Sequence, residues 1–167
     1  MRIKILAAAA ALAACGKGDS GPEHWSKRPT ETVSATVGGQ GFTIEVPKGM
    51  RQKAEADEVR FDFLEGEYVF TPEITVRLGT ELGSPEKDLQ YEKEPNVLRK
   101  EAMADGWVVS MENSYYKGKE DYIVHAEKKA GDKVFVCNGR VTPWKKGETV
   151  KDKVGLVEKM CLSIAAK

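Results

Sequence analysis

Residues that do chemistry near neutral pH are scarce in this chain. Histidine occurs twice, at positions 24 and 125, and cysteine three times, at 15, 137 and 161. A metal centre draws on clustered His, Cys or carboxylate ligands, and no such spacing is present. The acidic residues Asp57, Glu58, Asp62, Glu65 and Glu67 follow no calcium-loop pattern and read as solvated strand ends. Charge of one sign is missing too. The 26 Lys and Arg balance 26 Asp and Glu in 167 residues, whereas a nucleic-acid partner would call for a basic surface. No apolar run reaches the roughly 20 residues of a spanning helix. There is no Gly-x-Ser-x-Gly elbow, no Walker loop and no dinucleotide fingerprint; Gly38-Gly39-Gln40-Gly41 is hairpin glycine. His125 with Ser110 or Ser114 and Asp121 is the one set from which a small hydrolase could be built. The expectation is a protein that is not an enzyme, with no cofactor, no metal and no nucleic-acid partner.

What the chain does have stands at its start. Met1-Arg2-Ile3-Lys4 is short and basic, Ile5 to Ala14 is apolar and alanine-rich, and Leu12-Ala13-Ala14-Cys15 ends the run. A basic start, a short apolar stretch and small residues at its end make a secretory signal, too short to span a bilayer. With Cys15 directly after Leu-Ala-Ala, the leader resembles the bacterial lipoprotein signal, whose lipobox reads Leu-(Ala/Ser)-(Gly/Ala)-Cys. That resemblance covers the first fifteen residues and implies that residues 1–14 are removed. It also implies that the Cys15 thiol carries a diacylglyceryl group and that its amine is acylated. The partner is then a membrane, reached through the lipid anchor, together with another envelope protein. In the enterobacterial form of the family an aspartate after the cysteine favours inner-membrane retention. Here Gly16 follows, which leans toward the outer membrane. Taking off residues 1–14 removes Arg2 and Lys4 and no acidic residue, so the mature chain carries a formal net charge of −2.

Gly16-Lys17-Gly18-Asp19-Ser20-Gly21-Pro22 is a flexible linker by composition. Residues 15–30 are read as the lipidated cysteine and its tether, with a reach of about 20–23 Å. His24-Trp25 lies inside that stretch, and the tryptophan is expected to fold back onto the domain edge. Residues 31–167 are expected to form one domain, long enough to bury a core.

Within the domain, apolar residues alternate at Val33, Ala35 and Val37 and again at Phe42, Ile44 and Val46, on either side of the glycines. That pattern predicts an antiparallel hairpin. Residues 53–58 read as a charged connector. Strands are expected around Val59, Phe61 and Phe63, around Tyr68-Val69-Phe70 and over Ile74 to Leu78. Ser84 and Pro85 start a helix that is expected to continue past Pro95, through Leu98, Ala102 and Met103, to Asp105-Gly106. Trp107, Val109 and Met111 make the next strand, and Tyr122–Glu127 with Val134–Val141 another hairpin. Val150, Val154, Val157, Cys161 and Ile164 form one helical stripe, with Thr149 and Asp152 as a capping box. The expected class is α+β: a mostly antiparallel sheet with a middle helix and a C-terminal helix packed on it.

With Cys15 assigned to lipid, Cys137 and Cys161 remain. One lies in the last strand and the other on the helix stripe that should cover it, so the two patterns bring the thiols together. A disulfide is expected in an oxidising compartment, the alternative being two buried free thiols. Trp107, Tyr115, Tyr116, Tyr122 and Trp144 exceed what the C-terminal half needs for a core. They are read as a possible binding surface, for a protein or, alternatively, for a small molecule or glycan.

Residues 41–50, Gly-Phe-Thr-Ile-Glu-Val-Pro-Lys-Gly-Met, look like the opening of PsbP-like domains. There a strand reads aromatic-x-aliphatic-x-aliphatic-Pro-x-Gly-aromatic, and Met50 here replaces the last aromatic. The resemblance implies a sandwich that serves as a binding or assembly module.

Overall fold

The computed structural model describes residues 25–63, 72–89, 96–113, 121–142 and 151–167. Strands β1 (Thr30–Val37) and β2 (Gln40–Pro47) form the expected hairpin, paired from Thr30↔Pro47 to Val37↔Gln40. Gly38 and Gly39 make its turn at φ 54° and 77°. A primed turn with two positive φ values matches the right-handed twist of the flanking strands, and glycine adopts it without strain. The last strand, β10 (Ala165–Ala166), lies on the other side of β2, giving a three-stranded sheet ordered β1-β2-β10.

The second sheet has seven strands in the order β3-β4-β5-β9-β8-β7-β6. They are β3 (Arg51–Ala54), β4 (Glu58–Asp62), β5 (Glu73–Gly79), β6 (Asn96–Met103), β7 (Gly106–Asn113), β8 (Asp121–Ala130) and β9 (Lys133–Val141). Every pairing among the described strands is antiparallel. Helices α1 (Pro85–Leu89) and α2 (Lys151–Leu162) complete the described elements.

The core lies between the inner face of the large sheet and a layer made of the small sheet and α2. Phe42 of β2 is fully buried, 6.5 Å from Phe61 edge-on and 5.3 Å from Phe135. Val154, Val157 and Cys161 of α2 are buried, with Ile164 just beyond its end. Val157 drops onto Gly139 of β9, where a Cβ would collide with the valine methyl, so glycine sets how closely helix and sheet approach. Cys137 and Cys161 form a disulfide between β9 and α2, their Cα atoms 5.5 Å apart. Trp25, in a 3-10 turn over Trp25–Lys27, is buried with the same core. The packed body therefore reaches back into the stretch read as tether.

Two elements differ from the sequence expectation. The middle helix stops after Pro85–Leu89, and Asn96–Met103 is an edge strand paired with β7. Ser84 caps the short helix, its Oγ accepting from the Lys87 N–H at 3.3 Å. The segment Asn96–Met103 is rich in helix formers, but cross-strand pairing overrides that preference. A register shift between Val97 and Arg99 breaks the period-2 signal and leaves Leu98 and Ala102 four residues apart, as if on one face of a helix. The charged connector is also partly a strand: Arg51–Ala54 pairs with β4, and the chain turns where Glu55 N–H donates to the Glu58 carbonyl at 2.8 Å. The expected turn at 65–67, the strand at 68–70 and the capping Thr149 lie outside the described residues.

Candidate functional site

Alternation divides the large sheet into two unlike faces. Inward point Val108 and Ser110, Tyr122, Val124 and Ala126, and Phe135 and Cys137. Outward point Trp107, Val109 and Met111 of β7 with their cross-strand partners Glu127, His125 and Ile123 of β8. Trp107, Val109 and Met111 are buried with Leu89 and Ile123 in a small second cluster. α1 and the chain before it lie over that end.

Glu127 closes this arrangement. Its Oε2 accepts from the Gly83 N–H at 2.5 Å and from the Trp107 indole N–H at 3.1 Å. The carboxylate thus ties the β5–α1 loop to the tryptophan, satisfying two donors beside an apolar cluster. Between loop and strands is a cleft of about 260 Å³, bordered by Thr80, Glu81, Ser84, Lys87, Trp107 and Glu127. A second hollow of about 420 Å³ lies next to it, between the Gly38–Gly39 turn, Leu78, Thr80 and the Asp132–Val134 end of the β8–β9 hairpin. Thr80 borders both, so they share one pole of the molecule. Small-molecule sites begin near 300 Å³ and are mostly apolar; these hollows are lined largely by polar side chains and backbone.

Of the expected aromatic surface, the two described members, Trp107 and Tyr122, are not brought together. Trp107 and Tyr122 are both buried, at 4% and 9% exposure, and they sit on opposite faces of the sheet. The reason is register: Trp107 pairs with Glu127, an odd position of β8, whereas Tyr122 is even. Trp107 borders the cleft, Tyr122 belongs to the main core, and Tyr115, Tyr116 and Trp144 lie outside the described residues. Of the hydrolase set, His125 and Ser110 lie on opposite faces of the sheet. His125 faces outward beside Asn138 in register. Ser110 faces the core, fully buried, with no hydrogen-bond partner for its Oγ. Asp121 is bonded to Arg140, and Ser114 and His24 lie outside the described residues, as does Cys15.

Several of the described charges are paired. Asp62 bridges to Arg51 at 2.9 Å and Lys53 at 3.1 Å. Arg60 lies between Glu58 and Glu73 at 3.5 and 3.8 Å, and Glu73 foremost raises its pKa. Glu158 of α2 is buried at 4% exposure and is held by Arg99 of β6 at 2.6 Å. Among the described residues no three His, Cys, Asp or Glu side chains are grouped to hold a metal ion. No described helix is long and apolar enough to cross a membrane. The clasp by Glu127 and the Arg99–Glu158 pair were not visible in the sequence. Parity marked Glu127 as facing away from Val124, but the register that sets it against Trp107 was not legible.

No family model matches the chain, and no curated protein matches it in sequence. Solved structures do match in shape. A mutant of protein Mog1 is 12% identical, with 81% of this chain and 95% of that one covered at a TM-score of 0.58. The Ran-binding protein Mog1p of Saccharomyces cerevisiae is 13% identical, with the same coverage and a TM-score of 0.55. A protein from Bacteroides thetaiotaomicron is 12% identical, covering 79% of this chain and 47% of that one, with a TM-score of 0.49. At these identities the two Mog1 structures show the fold alone: this chain has a Mog1-like arrangement of an antiparallel sheet with helices.

Proposed function

We propose that the chain is a bacterial envelope lipoprotein, held at a membrane through lipid on Cys15, whose domain is a non-enzymatic binding or assembly module. The observation that carries the reading is Leu12-Ala13-Ala14-Cys15 at the end of a short apolar leader, followed by a glycine-rich linker. Two or more acyl chains hold a protein stably, at about 0.8 kcal/mol per buried methylene. The buried Trp25 gives that linker a fixed far end, so residues 16–24 set how far the domain stands from the bilayer. Gly16 after the cysteine favours the outer membrane. The binding role is supported by the placement of His125 and Ser110 on opposite faces of the sheet. The fold neighbour described as Ran-binding is an instance of this fold used to bind a protein.

The test is fractionation. Cys15→Ser should block lipid attachment and move the protein out of the detergent-soluble membrane fraction, with the domain still folded. A protein that pellets with membranes equally well with serine at that position is not anchored there. For the binding role, crosslinking in intact cells should recover the same envelope protein repeatedly.

A further inference from the structure

Three segments meet where the chain enters the packed body. They are the turn Trp25–Lys27 with Arg28 after it, the β2–β3 connection at Lys48–Met50, and the end of β4 with Asp62 and Phe63. Arg28 fastens them. Its Nη1 donates to the Lys48 carbonyl at 3.0 Å, and its guanidinium carbon lies 5.3 Å from the centre of the Phe63 ring. The Lys48 N–H donates to the Pro29 carbonyl at 2.9 Å. Gly49 turns at φ 95°, and a Cβ there would stand 2.6 Å from a guanidinium nitrogen of Arg28. Glycine therefore lets the turn close on the arginine. From β3, Arg51 Nη2 donates to the Phe63 carbonyl at 3.0 Å.

Positive charge gathers on this end. Lys27, Arg28, Lys48, Arg51 and Lys53 stand on it, with Lys27, Lys48 and Lys53 exposed. The carboxylates among them are Glu31, which accepts from the Gly49 N–H at 3.0 Å, and Asp62, which bridges to Arg51 and Lys53. Five cations against two carboxylates leave an excess of three positive charges, on a chain that from Cys15 onward sums to −2. Exposed charges act over about a Debye length, about 8 Å at physiological salt. Such a face engages only a surface that is held close to it. Ten residues separate Cys15 from Trp25. At about 3.5 Å per residue they reach at most about 35 Å, and a flexible linker of that length averages about 16–19 Å. A lipid on Cys15 thus keeps a bilayer beside this face at high effective concentration. A cluster of Lys and Arg next to an anchor attracts anionic headgroups.

We propose that this basic face rests on anionic headgroups of the membrane that holds the lipid on Cys15. The inference depends on that anchor and adds an orientation to it. β2 runs from the Gly38–Gly39 turn to Pro47, so a domain seated on its Lys48 end carries the Gly38–Gly39 turn about 25 Å away. The two hollows that share Thr80 lie at that far end and face away from the bilayer, open to a partner.

The test adds the lipidated full chain to preformed vesicles, of phosphatidylcholine alone or of phosphatidylcholine mixed three to one with phosphatidylglycerol. Vesicles are floated, treated briefly with a membrane-impermeant acetylating ester, and each lysine is read by mass spectrometry. Lys27 and Lys48 should react several-fold more slowly on the anionic vesicles, and high salt should remove the difference. Lys87 and Lys129, exposed at the far end, should react alike on both. Lys27→Glu combined with Lys48→Glu, both on the surface, should return Lys53 to its rate on neutral vesicles. Equal reaction of Lys27 and Lys48 on both vesicles, in protein that floats, overturns the proposal and leaves the face to an acidic protein partner. Protection of Lys53 that survives the double substitution overturns it as well, since nearness to the bilayer alone would then account for the slow reaction. Protein that fails to float even with neutral vesicles has no lipid anchor, and the anchored reading falls together with this one.

Discussion

The two faces of the seven-stranded sheet come from the same strands, yet they are held by different physics. The inner face is a continuous apolar layer under β2 and α2, centred on Phe42, Phe61 and Phe135, with one disulfide and one glycine fixing the helix. The outer face has a small cluster around Trp107, Val109 and Met111 at one end and ion pairs elsewhere. Hydrophobic burial sets the stability of the first, and a few placed polar groups set the shape of the second. The contrast teaches where a change is costly and where it alters a surface without unfolding the domain.

The largest effect is expected inside. Phe42→Ala empties a fully buried site between two aromatic rings and should lower unfolding free energy by about 3–5 kcal/mol, read from urea denaturation. A loss under about 1 kcal/mol would mean the inner face is loosely packed and the contrast is overstated. Next is the disulfide. Replacing Cys137 and Cys161 together by alanine should cost about 2–4 kcal/mol, again by denaturation. Equal stability with and without the pair would show that burial alone holds α2 on Gly139.

On the outer face, Glu127→Ala leaves the Gly83 and Trp107 donors without their acceptor. The expected loss is about 1–2 kcal/mol, with a change in tryptophan fluorescence as the β5–α1 loop lifts from Trp107. Unchanged fluorescence would show that the loop is held by the Leu89 contact instead. The smallest effect belongs to the exposed pair of Asp105 and Lys128, 2.7 Å apart. Its hydrogen bond to Lys128 holds the Asp105 carboxyl below the usual aspartate range. Because the folded value lies below the unfolded one, its contribution is present above the unfolded pKa and is lost as pH falls through the folded one. Asp105→Asn should therefore slightly flatten the fall in melting temperature below about pH 4. A steeper fall in the variant would contradict that sign.

The sequence exposed the inner face better than the outer. Strict alternation in β1 and β2, the apolar run of β9 and the i, i+4, i+7 stripe of α2 are signals of burial, and those elements form where expected. The approach of Cys137 to Cys161 followed from the same two patterns. The outer face depends on register between distant strands, which no local pattern encodes. Trp107 and Tyr122 therefore looked like one surface although they point through opposite sides of the sheet. β6 reads as helix in the sequence because its bulge and its edge position remove the alternation that marks a strand, leaving helix-favouring residues.

Intact mass of the protein extracted from membranes should show a chain beginning at Cys15 and carrying diacylglyceryl on its sulfur, with a further acyl chain on its amine. A protein of unmodified mass, or one whose first residue lies elsewhere, would contradict the anchored reading.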